Sequence, residues 1–198
     1  LVDHDLPEQF PQRLDRRMKI SRLEAYVLRA KTPERPHWTS HFIVPTANEI
    51  LVRLYTDEGI DGFGLATSYT PIEFAIKAWK GGLEDQIVGE DALAPERLYQ
   101  KLFALTTSKV ANEKGWSREA LIRISAAVDI ACWDIMGKAA GLPLYRLFGG
   151  HRDSVPAYVT CGYYREGKDH AELRDEVHML LDQGHTGFKA KAGGLPVP

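Results

Sequence analysis

The sequence predicts a small α+β unit, a long buried helix, and then the opening of a second, parallel α/β unit. Three observations carry this reading. Residues 18–116 give strand patterns first and helix patterns after them. Ser117 to Gly141 brackets about 23 residues of near-continuous helical pattern that is apolar almost all round. From Ser154 onward the period switches to strand, helix and strand again.

The chain has 198 residues, 44% hydrophobic and 26% charged, which suits a globular protein with a substantial core. A formal net charge of −2 gives no electrostatic case for nucleic acid or an anionic membrane as partner. No continuous apolar 18-residue run and no signal-peptide pattern occurs. Cys132 and Cys161 lie far apart and form no Cys-x-x-Cys, so two reduced thiols and a cytoplasmic setting are expected. The seven histidines form no His-x-His or His-Glu-x-x-His group, and no Gly-rich phosphate loop or Gly-x-Ser-x-Gly elbow is present.

Residues 1–17 are polar, with two prolines and no period. They read as a flexible extension, with Met18 the expected natural start. Lys19 to Arg29 alternates as a strand, with Ile20, Leu23, Tyr26 and Leu28 as its candidate core residues. Lys31 to Ala47 holds Pro33, Pro36 and Pro45 and is expected to lack regular structure. Such a long aromatic-rich loop suggests a lid, in which Trp38 or His41 touches substrate, although a surface loop docked by its aromatics fits the same residues.

Glu49–Tyr55 and Phe63–Thr67 form a hairpin around Asp57, Glu58, Gly59, Asp61 and Gly62, with Ile50, Val52 and Leu54 on one face. Thr70-Pro71-Ile72-Glu73 is a capping box opening a helix to about Lys80, stopped by Gly81-Gly82. Pro95 and Glu96 start another, with Leu98, Leu102, Phe103 and Leu105 on its apolar face.

Ser117 caps the long helix, Glu119 faces its positive end, Lys138 lies in its last turn, and Gly141 with Pro143 stops it. At 1.5 Å per residue it spans roughly 35 Å. Arg123, Asp129, Asp134 and Lys138 rule out a membrane span. Ser125, Ala126, Ala127 and Ala131 allow close backbone approach, so several elements are expected to pack on this helix. After it come a strand over Ser154–Thr160, a helix capped by Asp169 and Glu172 and running to Gln183, and a strand over Thr186–Ala192. Leu173, Val177, Leu180 and Leu181 form that helix's apolar stripe. One βαβ unit of this length implies parallel strands with a right-handed crossover.

Lys189 and Lys191 are two apart on the last strand and share a face. A bare Lys-x-Lys is more often a solvated strand face. Parallel strands are normally buried on both sides, so a lysine pair there points to the mouth of a barrel, where functional residues sit at carboxyl ends of strands. Thr160 to Tyr164 lie at the mouth of the preceding strand, and Cys161 and Tyr163 are candidate pocket residues by position.

The run AAVDIACWDIMGKAAGLPLYRLFGG, Ala126 to Gly150, resembles the linker helix of the mandelate racemase and muconate-lactonising branch of the enolase superfamily. Thr56-Asp57-Glu58-Gly59 with Gly62-Phe63-Gly64 is similar to that family's hairpin, except that Leu65 stands where the family often has Glu. The resemblance implies an α+β capping domain (18–116), a linker helix (117–150), and in 151–198 the first βαβ unit of a TIM-like (β/α) barrel, incomplete within this chain because a full barrel takes about 250 residues. It also implies abstraction of the proton α to a carboxylate, with Lys191 as the base and Lys189 helping to hold it neutral. Mg²⁺ would be the cofactor, its ligands on barrel strands beyond Pro198, so none is expected in this chain. Asp129 and Asp134 read as hydrogen-bond acceptors of the helix, not metal ligands. Dehydration of a sugar acid by a homo-oligomer is the leading expectation, because that activity is widespread in the group. Racemisation or cycloisomerisation stays open, as does a non-catalytic assembly role for the 198 residues alone.

Overall fold

In the computed structural model the described residues are 17–29, 31, 36–39, 43–44, 48–68 and 72–191. The strands of the first part are β1 (Ile20–Arg29), β2 (His37–Trp38), β3 (Ile43–Val44), β4 (Asn48–Thr56) and β5 (Asp61–Ser68). The helices α1 (Ile72–Lys80), α2 (Pro95–Leu105), α3 (Lys109–Lys114), α4 (Arg118–Ala140) and α5 (Leu144–Leu147) follow, with a 3₁₀ turn at Leu83–Gln86. Then come β6 (Val159–Cys161), β7 (Tyr164–Arg165), α6 (His170–Asp182) and β8 (Phe188–Ala190).

β1, β4 and β5 form an antiparallel sheet in that order. Its inner face presents Ile50, Val52 and Leu54, each 4% exposed or less, as the alternation requires. β1 departs from the expected pattern. A register shift between Ile20 and Arg22 turns both Ile20 and Leu23 inward, and the inward positions then continue to Ala25. Tyr26 and Leu28 consequently face outward, 44% and 45% exposed, and are not core residues.

The long helix α4 has the expected bounds. Ser117 Oγ accepts from the Ala120 amide at 3.4 Å, and Gly141 closes the other end with φ +66°. Leu121, Ile124, Val128 and Ile135 are completely buried against the sheet and α2. Each contributes roughly 1.5–3 kcal/mol by leaving water. The approach to β5 is unusually close, because a Cβ at Gly64 would lie 1.8 Å from the Ala127 carbonyl oxygen and one at Gly62 would lie 2.2 Å from that of Ala131. Asp134 Oδ2 accepts from the Phe63 amide at 3.0 Å and from Lys138 Nζ at 2.8 Å, tying helix to hairpin.

Helix α2 buries Leu98 and Leu102 but leaves Phe103 38% exposed. Ser108 caps the short α3, which the sequence pattern did not mark. In the last part β6 and β8 pair in parallel, with Thr160 opposite Lys189 and Cys161 opposite Ala190. Both strands are three residues long, shorter than the expected Ser154–Thr160 and Thr186–Ala192. Asp169 caps α6 by accepting from the Glu172 amide at 2.9 Å. On α6 Leu180 is buried, while Leu181 is 50% exposed.

The segment expected to be irregular contains two short strands. β2 pairs with β3 on one side and with β7 on the other, so a strand from before the long helix joins one from after it. None of the described helices is long and apolar enough to cross a membrane.

Candidate active site at the end of β8

Strand alternation sorts the β6–β8 pair into two faces. Phe188, Ala190 and Cys161 share one; Lys189, Lys191 and Thr160 share the other. Helix α6 lies beside the first, on which Cys161 is buried and Ala190 exposed. A Cβ placed on Gly162 would meet both Ala190 Cβ and Leu173 Cδ1 of α6 at 3.4 Å. The lysines therefore occupy the face turned away from the crossover helix, the side that is the lumen in a (β/α) barrel.

Lys191 is half-buried and follows β8 directly, its amide donating to the Cys161 carbonyl at 3.2 Å. Its ammonium sits 5.0 Å from the centroid of the Tyr163 ring, a cation–π distance. Lys189 is exposed. The expectation that both faces of this strand are buried does not hold, because Lys189 and Ala190, on opposite faces, are both exposed.

Tyr163 is fixed from two further directions. The His37 ring meets it edge-on, with centroids 5.1 Å apart and planes at 71°. Its carbonyl accepts from Lys168 Nζ at 3.1 Å. Lys168 also pairs with Glu176, whose other oxygen accepts from the Gly162 amide at 3.3 Å. Burial opposes ionisation of Glu176, but Lys168 and the Gly162 N–H outweigh it and hold the carboxyl below its usual range. Arg165 pairs with Glu172 one turn earlier on α6. His37, Tyr163, Arg165, Lys168, Glu172 and Glu176 are among the residues lining a cleft of about 530 Å³.

Of the residues singled out in the sequence, the structure brings Lys191 and Tyr163 together. Trp38 lies opposite Tyr164, one residue from His37 and so on the other face of β2. Cys161 is 2% exposed on the face beside α6, away from the lysines. His41 lies outside the described residues. The aromatic contact that the sequence pattern did not reveal is His37, neighbour of Trp38. Its signal was available in the same dipeptide, but nothing local said which of the two faces Tyr163.

Among the described residues no three His, Cys, Asp or Glu side chains come together to hold a metal ion. Asp134 is engaged by the hairpin. Asp129 is pushed above the usual carboxylate range by burial first and by neighbouring Glu96 second.

Residues 22–149 match the family model for the mandelate racemase / muconate lactonizing enzyme N-terminal domain. The chain belongs to the mandelate racemase / muconate lactonizing enzyme family. This places it in the enolase superfamily and makes the α+β part its N-terminal capping domain. Two curated relatives are a D-galactonate dehydratase family member of Paenibacillus sp. (strain JDR-2), 34% identical over 147 residues, and an arabinonate dehydratase of Saccharolobus solfataricus, 33% identical over 144. These alignments take in 73% of this chain but 33% and 37% of the relatives, so the chain spans about a third of the length of the enzymes it matches. A solved mandelate racemase/muconate lactonizing enzyme is 30% identical with a TM-score of 0.76, over 90% of this chain and 46% of that one. A family member from a marine actinobacterium, solved in complex with magnesium, is 28% identical with a TM-score of 0.67, over 90% of this chain and 45% of its own.

Proposed function

We propose that the protein acts as a sugar-acid dehydratase whose first step removes the proton α to the carboxylate, with Lys191 as the base. The observation that carries this reading is the placement of Lys191: at the carboxyl end of β8, on the face away from α6, with Tyr163 beneath it. A reactive group of a (β/α) barrel is expected at that point. The β6–α6–β8 unit is accordingly proposed as the opening of that barrel.

In the step itself the α C–H bond breaks and its proton passes to the Lys191 amine. The electron pair remains in the enediolate until the β C–O bond breaks; the departing hydroxide takes a proton from solvent and leaves as water, and the resulting enol ketonises. The Lys191 amine becomes an ammonium on taking the α-proton, and the Tyr163 ring face is a favourable neighbour for the cation that forms. Lys189, on the same face one pleat back, acts on it through its charge. Mg²⁺, present in a solved relative, would stabilise the enediolate charge when bound. No set of ligands for it exists among the described residues, and its ligands are proposed to lie outside this chain.

The choice of dehydration over racemisation rests on the relatives. Besides the galactonate and arabinonate enzymes they include a D-mannonate dehydratase of Rhizorhabdus wittichii at 34% identity. The test is to incubate the full-length protein and Mg²⁺ with D-galactonate, D-arabinonate, D-mannonate and galactarate and follow release of the 2-keto-3-deoxy acid. Turnover of one of them supports the reading. Racemisation or lactonisation of a carboxylate with no loss of water would replace it.

A further inference from the structure

We propose that Lys168 and Glu176 form a latch whose task is to hold Tyr163 beneath Lys191 and against the capping strand, so that both are positioning residues for the reaction. The proposal rests on the reading of Lys191 as the base. Its own evidence is geometric and lies in the turn after β6.

Gly162 leaves β6 with φ +70°, a conformation that turns the chain sharply and suits glycine. The two polar groups flanking this turn are each taken by a charged side chain. Glu176 of α6 accepts from the Gly162 amide at 3.3 Å, and Lys168 donates to the Tyr163 carbonyl at 3.1 Å. The two side chains also pair with each other. The Lys168 side chain is only 8% exposed. Withdrawing an ammonium from water is costly unless it is fully partnered, and two apolar side chains would fill the same volume at no such cost. An ion pair here gains what apolar packing cannot supply, namely directional hold on one backbone segment.

What that segment carries is Tyr163. Its ring meets both the Lys191 ammonium and the His37 ring. Two residues on, Arg165 pairs with His37 across β7 and β2. Glu172, one turn before Glu176, takes the Arg165 guanidinium. The first turns of α6 thus grip the loop at two points, and the loop in turn grips the capping strand and the candidate base. Release of Lys168 would free the Tyr163 backbone, loosen β2 from β7, and leave the Lys191 amine without a fixed neighbour.

The test uses Lys168→Met, Glu176→Gln and Lys168→Arg in the full-length protein, with two readouts. One is backbone amide exchange at residues 37–38 and 162–164, which requires no catalysis. The other is α-proton exchange of the substrate, separated into kcat and KM. Lys168→Met should raise local amide exchange about tenfold and lower kcat about tenfold with KM within about twofold, since small misplacement of a reacting group is expensive. Lys168→Arg should restore most of both, and Glu176→Gln should reproduce the effect should Lys168→Met not fold. Unchanged kcat and unchanged local exchange in a folded Lys168→Met or Glu176→Gln would overturn the latch, as would a rise in exchange spread evenly over the whole protein. Activity persisting in Lys191→Ala while Lys168→Met still loosens residues 37–38 would instead remove the base assignment and leave the latch only as a joint.

Discussion

The separation of Cys161 from Lys189 and Lys191 is decided by a single pleat. All three lie at one end of the same strand pair, yet Cys161 is buried on the α6 side and the amines are not. Position along the strand was legible in the sequence; the face was legible for the lysines, because they are two apart, but not for a residue on another strand whose register was unknown. The second cysteine makes a sharper residue-level statement. Burial in α4 pushes the Cys132 thiol up to about 12, with Asp129 and Asp91 adding to the effect. The thiolate is the reactive form, so Cys132 should be inert in the folded protein. Treatment with a thiol-specific reagent at pH 8, with the site located by mass spectrometry, should leave Cys132 unlabelled until denaturant is added. Rapid stoichiometric labelling of native Cys132 would contradict its burial.

At the scale of elements, the contact of β5 with α4 is the most constrained. Gly64 and Gly62 allow the strand to lie directly on the backbone of Ala127 and Ala131. The neighbour is a helix carbonyl, which cannot swing aside as a flexible side chain would. Gly64→Ala should therefore cost about 3 kcal/mol or more, at the upper end of what overpacking costs. Thermal unfolding should show Tm falling by about 6–12 °C or more, taking roughly 2–4 °C per kcal/mol for a chain of this size. A Tm within about 2 °C of the parent would mean that helix and strand do not approach so closely. The small residues on α4 were readable as a close-approach surface, and its bounds were readable from Ser117 and Gly141. The two-residue strands β2 and β3 were not. Their order comes from β7, more than a hundred residues away, and three prolines argued locally against any strand. The outward turn of Tyr26 and Leu28 was hidden for a related reason: the shift between Ile20 and Arg22 exists only in the pairing with β4.

At the scale of the molecule, the two parts of the chain meet at the candidate site. The capping domain supplies His37, the turn after β6 supplies Tyr163, and Lys191 follows the last residue of β8. A long aromatic loop and a Lys-x-Lys strand were both visible in the sequence. The chain of contacts was not, because it depends on the Gly162 turn and on α6 side chains that look like ordinary helix surface. This convergence makes Lys191 the one group proposed to reach an α-carbon held at the end of β8, with Lys189 a pleat behind. The direct measurement is incorporation of deuterium at the α-carbon of the sugar acid, followed by NMR in D₂O, for full-length protein and its folded Lys191→Ala variant. With Lys191 as the base, exchange should fall about 10²–10⁴-fold in the variant, the usual contribution of a general base. Near-parental exchange in folded Lys191→Ala would contradict that assignment.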